Sequence, residues 1–289
     1  MINQTHSVCQ EGSQEYAKLV TYIQDDSPEI AIHERPMIVV CPGGGYCMTS
    51  DREAEIMVFQ MLAMGCNAAL LRYSCAPSVF PAALMELASS VKLIREHAKE
   101  WHVDTNKIIV MGFSAGGHLA ASFGMFWNRK FLGDKLGVDP KEQKILKPNG
   151  MILCYPVITS GEYAHKDSFR CLLGLNQESV PEKLEGFEEA YSVEEMMEKL
   201  SLENHVSKDT PKAFIWHTFE DGCVPVENSL LLVGALRKAG ISAEFHMYPR
   251  GGHGLALASN LSASAPGNEQ VVEACQTWIG LVRKWIEDF

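Results

Sequence analysis

The stretch from Lys107 to Ala120, KIIVMGFSAGGHLA, places the tightest constraint on this chain. A short apolar run leads into Gly112-Phe113-Ser114-Ala115-Gly116, and small and apolar residues at helical spacing follow. A Gly-x-Ser-x-Gly turn between a strand and a helix holds a serine in a strained, exposed position. Gly112 and Gly116 let the backbone turn sharply and let strand and helix approach each other.

The flanking sequence repeats the same alternation. Tyr16 to Gln24 is expected as an early strand. Pro36 to Cys41 (PMIVVC) is a continuous apolar run of the kind buried on both faces of a sheet, and it ends in Pro42-Gly43-Gly44-Gly45. Asp51 to Met64 has acids in its first turn and Gly65 past its end, as a helix does. Cys66 to Tyr73 reads as the next strand and Pro81 to Trp101 as a long amphipathic helix. The strand before the serine turn is expected over Lys107 to Met111, and the helix after it runs to about Phe126.

Met151 to Tyr155, Ala213 to His217 and Ala243 to Tyr248 supply further strands. Val226 to Ala239 is a helix closed by Gly240, and Asn268 to Asp288 a closing amphipathic helix. Thr159 to Thr210 is rich in Glu and weak in strand signals. Helical pieces are expected there around Pro181 to Glu188 and Ser192 to Leu200. Strands alternating with helices predict an α/β fold with a mostly parallel, doubly wound sheet. With 289 residues, 46% of them hydrophobic, one domain over 1–289 with a small inserted cap or lid at 159–210 fits better than two domains.

A formal net charge of -11 without a Lys/Arg cluster argues against nucleic acid or an anionic membrane as a partner and suits a small-molecule substrate. The nine cysteines are scattered, form no CxxC pair, and several lie inside apolar runs. A reducing compartment is expected. The first residues show no basic region followed by an apolar stretch, and no apolar run approaches membrane-spanning length. A cytoplasmic enzyme is the resulting expectation.

A serine hydroxyl needs a base to take its proton, and the base needs an orienting acid. Downstream of Ser114, Asp221 follows the strand ending at His217 and leads through Val224-Pro225 into a helix. His253 lies in Tyr248-Pro249-Arg250-Gly251-Gly252-His253-Gly254, after the last strand. All three therefore belong to one edge of a parallel sheet, where ligand sites gather. The N–H of Ala115 is one oxyanion donor, and Gly43-Gly44-Gly45 can supply others.

Each element has a plainer reading: Asp221 as a helix N-cap, the His253 loop as an ordinary turn. The three in order, each after an expected strand, favour chemistry. Asp221 is preferred to its neighbour Glu220. His217 reads as a packing or supporting group, and His118 as a structural support for the Gly43 to Gly45 loop. His97, His102 and His246 read as surface or strand residues. Cys47 is read as a small buried side chain in preference to a reactive thiol. No pair of histidines has metal-ligand spacing with a carboxylate, so no metal is expected.

On these residues the chain resembles the α/β-hydrolase superfamily, and within it the bacterial acetyl xylan esterase-like, or carbohydrate esterase, group. More distantly it resembles the hormone-sensitive-lipase-like esterases. The stretches that carry the resemblance are CPGGGY (41–46), YSCAPSVFPAALMEL (73–87), GFSAGGHLAAS (112–122), HTFEDGCVP (217–225) and YPRGGHG (248–254). The resemblance implies a catalytic triad of Ser114, Asp221 and His253, and oxyanion donors at Gly44, Gly45 and Ala115. Pro42 stands where the lipase-like branch has histidine, which points to the sugar-esterase branch. Ser74 stands where arginine is usual.

The expected activity is that of a serine carboxylesterase. It would remove short acyl groups, acetyl foremost, from a small hydroxylated substrate such as an acetylated sugar, with no cofactor. Another small ester or amide hydrolase on the same scaffold, formamidase-like or peptidase-like, and a non-catalytic binding protein remain open at this point. The oligomeric state is not legible.

Overall fold

Successive residues of the PMIVVC run pack into two different apolar layers: Met37, Val39 and Cys41 into one, Ile38 and Val40 into the other. The strand before the serine turn behaves identically, with Ile108 and Val110 on one side and Ile109, Met111 and Phe113 on the other. Period-two alternation in which both faces are apolar requires helices on both sides of the sheet.

The computed structural model describes residues 1–175, 182–187 and 190–289. Among them, the order is β1 (Ile2–Ser7), β2 (Lys18–Ile23), β3 (Arg35–Cys41), α1 (Glu55–Ala63), β4 (Asn67–Arg72), α2 (Ala82–Glu96), β5 (Val103–Phe113), α3 (Ala115–Phe126), α4 (Lys130–Lys135) and β6 (Gly150–Cys154). There follow α5 (Lys166–Leu173), α6 (Val193–Lys199), β7 (Lys212–Thr218), α7 (Glu227–Ala239), β8 (Ala243–Tyr248), α8 (Glu273–Gln276) and α9 (Trp278–Glu287). The eight strands form one sheet in the order β1-β2-β4-β3-β5-β6-β7-β8. Strands β1, β2 and β4 pair antiparallel, and every pairing from β4 through β3 to β8 is parallel. This is the α/β-hydrolase arrangement expected from the sequence.

Leu84, Leu87 and Val91 of α2, Leu119 and Phe123 of α3, and Leu232 and Leu236 of α7 cover one face. Met57, Val58 and Met61 of α1 and Trp278, Val282 and Ile286 of α9 cover the other. Burying a Leu- or Ile-sized side chain is worth about 1.5–3 kcal/mol, so these two layers dominate the stability of the sheet. Among the described residues, no helix is long and apolar enough to cross a membrane.

Several boundaries differ from the sequence reading. Strand β1 carries no strand signal in the sequence; its residues are mostly exposed, and among the described residues it pairs only with β2. Residues 51–53 form one turn of 3₁₀ helix, separated from α1 by Ala54, and Glu53 in this turn is buried. The closing helix is two pieces that meet at Thr277, and Val272 N–H and the Gln276 side chain bond to Ala258 O and tie this segment to the loop before it. The helix expected around Pro181 to Glu188 has both its ends outside the described residues. Residues 182–187 form a turn with a Leu184–Phe187 bridge. Helix α6 lies inside the expected Ser192 to Leu200 span, with Ser192 and Glu195 forming a capping box.

Candidate active site

Ser114 sits between β5 and α3 with φ 53° and ψ −118°. Positive φ at a residue with a Cβ is a strained conformation, held here by its surroundings. Ser114 N–H donates to Cys154 O at 3.0 Å, and Ser114 O accepts from Val157 N–H at 3.1 Å. The flanking glycines are required by close approach. A Cβ on Gly112 would lie 2.0 Å from Gly116 O, and one on Gly116 would lie 2.2 Å from Cys41 O.

The residues expected to act with Ser114 are brought to it. Ser114 Oγ–H donates to His253 Nε2 at 2.7 Å, and His253 Nδ1–H donates to Asp221 Oδ2 at 2.6 Å. The Asp221 carboxylate is buried, and its other oxygen accepts from Cys223 N–H at 3.0 Å and Val224 N–H at 2.9 Å. Burial pushes this carboxyl up, but the hydrogen bonds from His217, His253 and the Val224 N–H outweigh it and hold it well below the usual carboxylate range. Asp221 is thus an anion that orients His253. It is not the N-cap of α7, a position held by Val226.

Gly43, Gly44 and Gly45 are not equivalent. Gly43 N–H donates to Glu53 Oε2 at 2.8 Å and is thereby occupied. Gly44 and Gly45 N–H have no acceptor among the described residues and both line the cleft at Ser114. Ala115 opens α3, where the first N–H groups lack intrahelical acceptors. The resemblance implies an oxyanion-binding role for these three N–H groups. The cleft holds about 440 Å³, and its walls include Met48, Cys47, Cys223, His165 and Asp167 besides Ser114 and His253. Cys47 is exposed there, a correction to its reading as a small buried side chain. Among the described residues, no group of three or more His, Cys, Asp or Glu is placed to hold a metal ion.

Support for the glycine loop comes from several places. Tyr73 O–H donates to Pro42 O at 2.6 Å. Tyr46 O–H donates to His118 Nδ1 at 2.9 Å, and His118 Nε2–H donates to Leu200 O at 2.9 Å. His118 therefore links the glycine loop to the 159–210 segment, and burial pulls its pKa down to about 4 so that it stays neutral. Ser74, in place of the usual arginine, turns to another partner: its N–H donates to buried Glu86 at 2.7 Å. Glu53, Tyr155 and Arg52 were missed by the sequence reading; for Glu53 the reason is that two acids near a helix start carry no sign that one of them faces inward.

The sheet order, the strained serine between β5 and α3, and the Ser-His-Asp chain at the C-terminal ends of β5, β7 and β8 define an α/β-hydrolase. The chain belongs to the BD-FAE family, whose model matches residues 15–236. It is 35% identical over 247 residues to endo-1,4-beta-xylanase B of Butyrivibrio fibrisolvens, covering 84% of this chain and 35% of that protein. It is 29% identical over 226 residues to the acetylxylan esterase of Xylanibacter ruminicola, covering 77% of this chain and 41% of that protein. The chain thus spans less than half the length of these two relatives. Its structure is similar to that of an acetyl ester-xyloside bifunctional hydrolase from Caldicellulosiruptor lactoaceticus, with a TM-score of 0.77, 37% identity, and 94% and 88% of the two chains covered.

Proposed function

We propose that this protein is a serine carboxylesterase that removes short acyl groups, acetyl foremost, from a small hydroxylated substrate such as an acetylated sugar. The observation that carries the reading is the continuous chain from Ser114 Oγ through His253 to buried Asp221, with links of 2.7 and 2.6 Å, beside two glycine N–H groups with no acceptor among the described residues. Ser114 Oγ attacks the ester carbonyl as its proton passes to His253 Nε2. Asp221 holds the imidazole in the required tautomer and stabilises the imidazolium. Gly44, Gly45 and Ala115 N–H groups receive the oxyanion. His253 then protonates the leaving alcohol, and water, deprotonated by the same imidazole, releases the acid from the acyl-enzyme.

The 159–210 segment acts as a cap in this reading. Two side chains just before and within α5, His165 and Asp167, reach the cleft and offer polar contacts to a hydroxylated alcohol. The similarity to an acetylxylan esterase and to an acetyl ester-xyloside hydrolase supports acetyl as the acyl group and a sugar as the alcohol.

The test is a panel of p-nitrophenyl acetate, longer p-nitrophenyl esters, acetylated mono- and oligosaccharides, and formyl amides, assayed with wild type and Ser114→Ala. Acetyl esters should be preferred, and Ser114→Ala should lower kcat by about 10⁶-fold. Hydrolysis that persists in Ser114→Ala would remove the mechanism, and a preference for formyl amides would redirect the substrate.

A further inference from the structure

Arg52 and Glu53 are neighbours in sequence, yet they hold two different loops of the cleft. Glu53 is buried at 4% exposure. Its Oε2 accepts from Gly43 N–H at 2.8 Å, and its Oε1 accepts from Tyr155 O–H at 2.7 Å. The same Tyr155 oxygen accepts from Ala256 N–H at 2.9 Å, three residues beyond His253. Arg52 donates to Gly254 O at 2.7 Å and to Ser262 O at 2.5 Å. The glycine loop and the histidine loop are therefore joined through Gly43, Glu53, Tyr155 and Ala256, with Arg52 as a second tie.

The contacts are close at the centre of this chain. A Cβ on Gly43 would lie 2.7 Å from Glu53 Oε2 and 3.0 Å from Ser114 Cβ, so the carboxylate, the glycine peptide and the serine pack directly together. The Tyr155 ring stands edge-on to the His253 imidazole, with centroids 5.1 Å apart. Tyr155 and Ala256 have φ of 38° and 53°. Such backbone persists where surrounding interactions over-determine it, and here both residues meet at one hydroxyl.

We propose that Arg52, Glu53 and Tyr155 form a positioning brace that fixes the Gly44 and Gly45 N–H groups relative to the His253 imidazole. The proposal rests on the serine-hydrolase reading above. Glu53 sets the plane of the peptides after Gly43, and Tyr155 and Arg52 carry the same reference to the histidine loop. An oxyanion site and a base that must act on one carbonyl need a fixed separation, and errors of about 1 Å cost about 100-fold in rate. The brace acts on the transition state more than on substrate binding, so its loss falls on kcat.

The experiment measures kcat and KM for p-nitrophenyl acetate in Glu53→Gln, Tyr155→Phe and the double variant, each normalised to the serine titrated by a fluorophosphonate, together with melting temperature. Glu53→Gln keeps an acceptor for Gly43 but loses the one for the Tyr155 hydroxyl. Tyr155→Phe keeps the ring against His253 and removes the oxygen. Each should lower kcat per titrated site by about tenfold or more with KM nearly unchanged, and the double variant should be no worse than the poorer single one, as for two members of one chain.

Unchanged kcat per titrated site, with the loss confined to melting temperature or titratable fraction, would reduce these residues to stability and overturn the brace. So would single effects that multiply in the double variant. Should Glu53→Gln fail to fold, the kcat of Tyr155→Phe decides. Wild type that neither turns over the ester nor labels at Ser114 would instead remove the serine-hydrolase reading, and the brace with it.

Discussion

His217 and His253 converge on the same oxygen of Asp221: His217 Nε2 lies 3.2 Å from Oδ2, and His253 Nδ1 lies 2.6 Å from it. His217 is fully buried and also donates to Val224 O at 2.9 Å, while its Nδ1 accepts from Ser229 O–H at 2.8 Å. It is a fixed donor beneath the carboxylate, in keeping with its sequence reading as a supporting group. Asp221 consequently has partners on both oxygens and little freedom to turn away from His253.

Asp221→Asn should leave the fold intact and lower kcat by about 10⁴-fold, because the amide favours the wrong imidazole tautomer. His217→Leu should do less, about tenfold in kcat, while destabilising the protein by about 1–3 kcal/mol through the unpaired Val224 carbonyl and Ser229 hydroxyl. Steady-state kinetics and urea unfolding of the two variants check this order. A His217 variant as slow as Asp221→Asn would place His217 nearer the chemistry.

Stability should fall on mild acidification. Burial holds His118 at about 4 against an ordinary 6.5. Between those values the unfolded imidazole is protonated and the folded one is not, so stability is fully present above about 6.5 and is lost as pH falls towards about 4. The gap corresponds to about 3 kcal/mol. His205, also pulled down to about 4, chiefly by burial, adds a slope of the same sign. Unfolding free energies measured from pH 7 to 4 should decline in wild type and less steeply in His118→Gln. A parallel decline in both would show that His118 does not contribute.

Two glycine-to-alanine changes should move stability in opposite directions. The Cβ of Gly116→Ala would meet Cys41 O at 2.2 Å and Pro42 O at 2.3 Å, both backbone, so α3 must move off β3. A loss of about 3 kcal/mol or a failure to fold is expected, in line with overpacking of a closely packed core. Gly234 lies exposed within α7 with nothing within 4 Å of its Cβ position. Gly234→Ala should raise stability by about 0.5–1 kcal/mol. Melting curves of the two variants suffice.

Thiol reagents should separate the cysteines. Cys9, Cys47 and Cys223 are exposed and the other six are buried, all as free thiols. Iodoacetamide on the folded protein should modify only those three. Because Cys47 and Cys223 line the cleft, the modification should suppress ester hydrolysis, and Cys47→Ser/Cys223→Ser should resist it. Peptide mapping alongside the assay checks both parts.

The sequence by itself determined the parallel core of the sheet, the serine turn and the glycine, aspartate and histidine loops around it. These are local signals: a doubly apolar run makes a buried strand wherever it occurs, and a glycine pair around a serine requires close backbone contact at that point. Strand β1 was invisible because its residues are mostly exposed and its stability comes from pairing with β2. The inward turn of Glu53 was invisible for a related reason. An acid at a helix start looks the same whether it meets water or meets Gly43 and Tyr155, which lie 10 and 102 residues away along the chain. Only the tertiary structure decides which N–H of the glycine run is occupied and which stay open, because hydrogen-bond competition among distant segments is settled when the sheet brings their ends together.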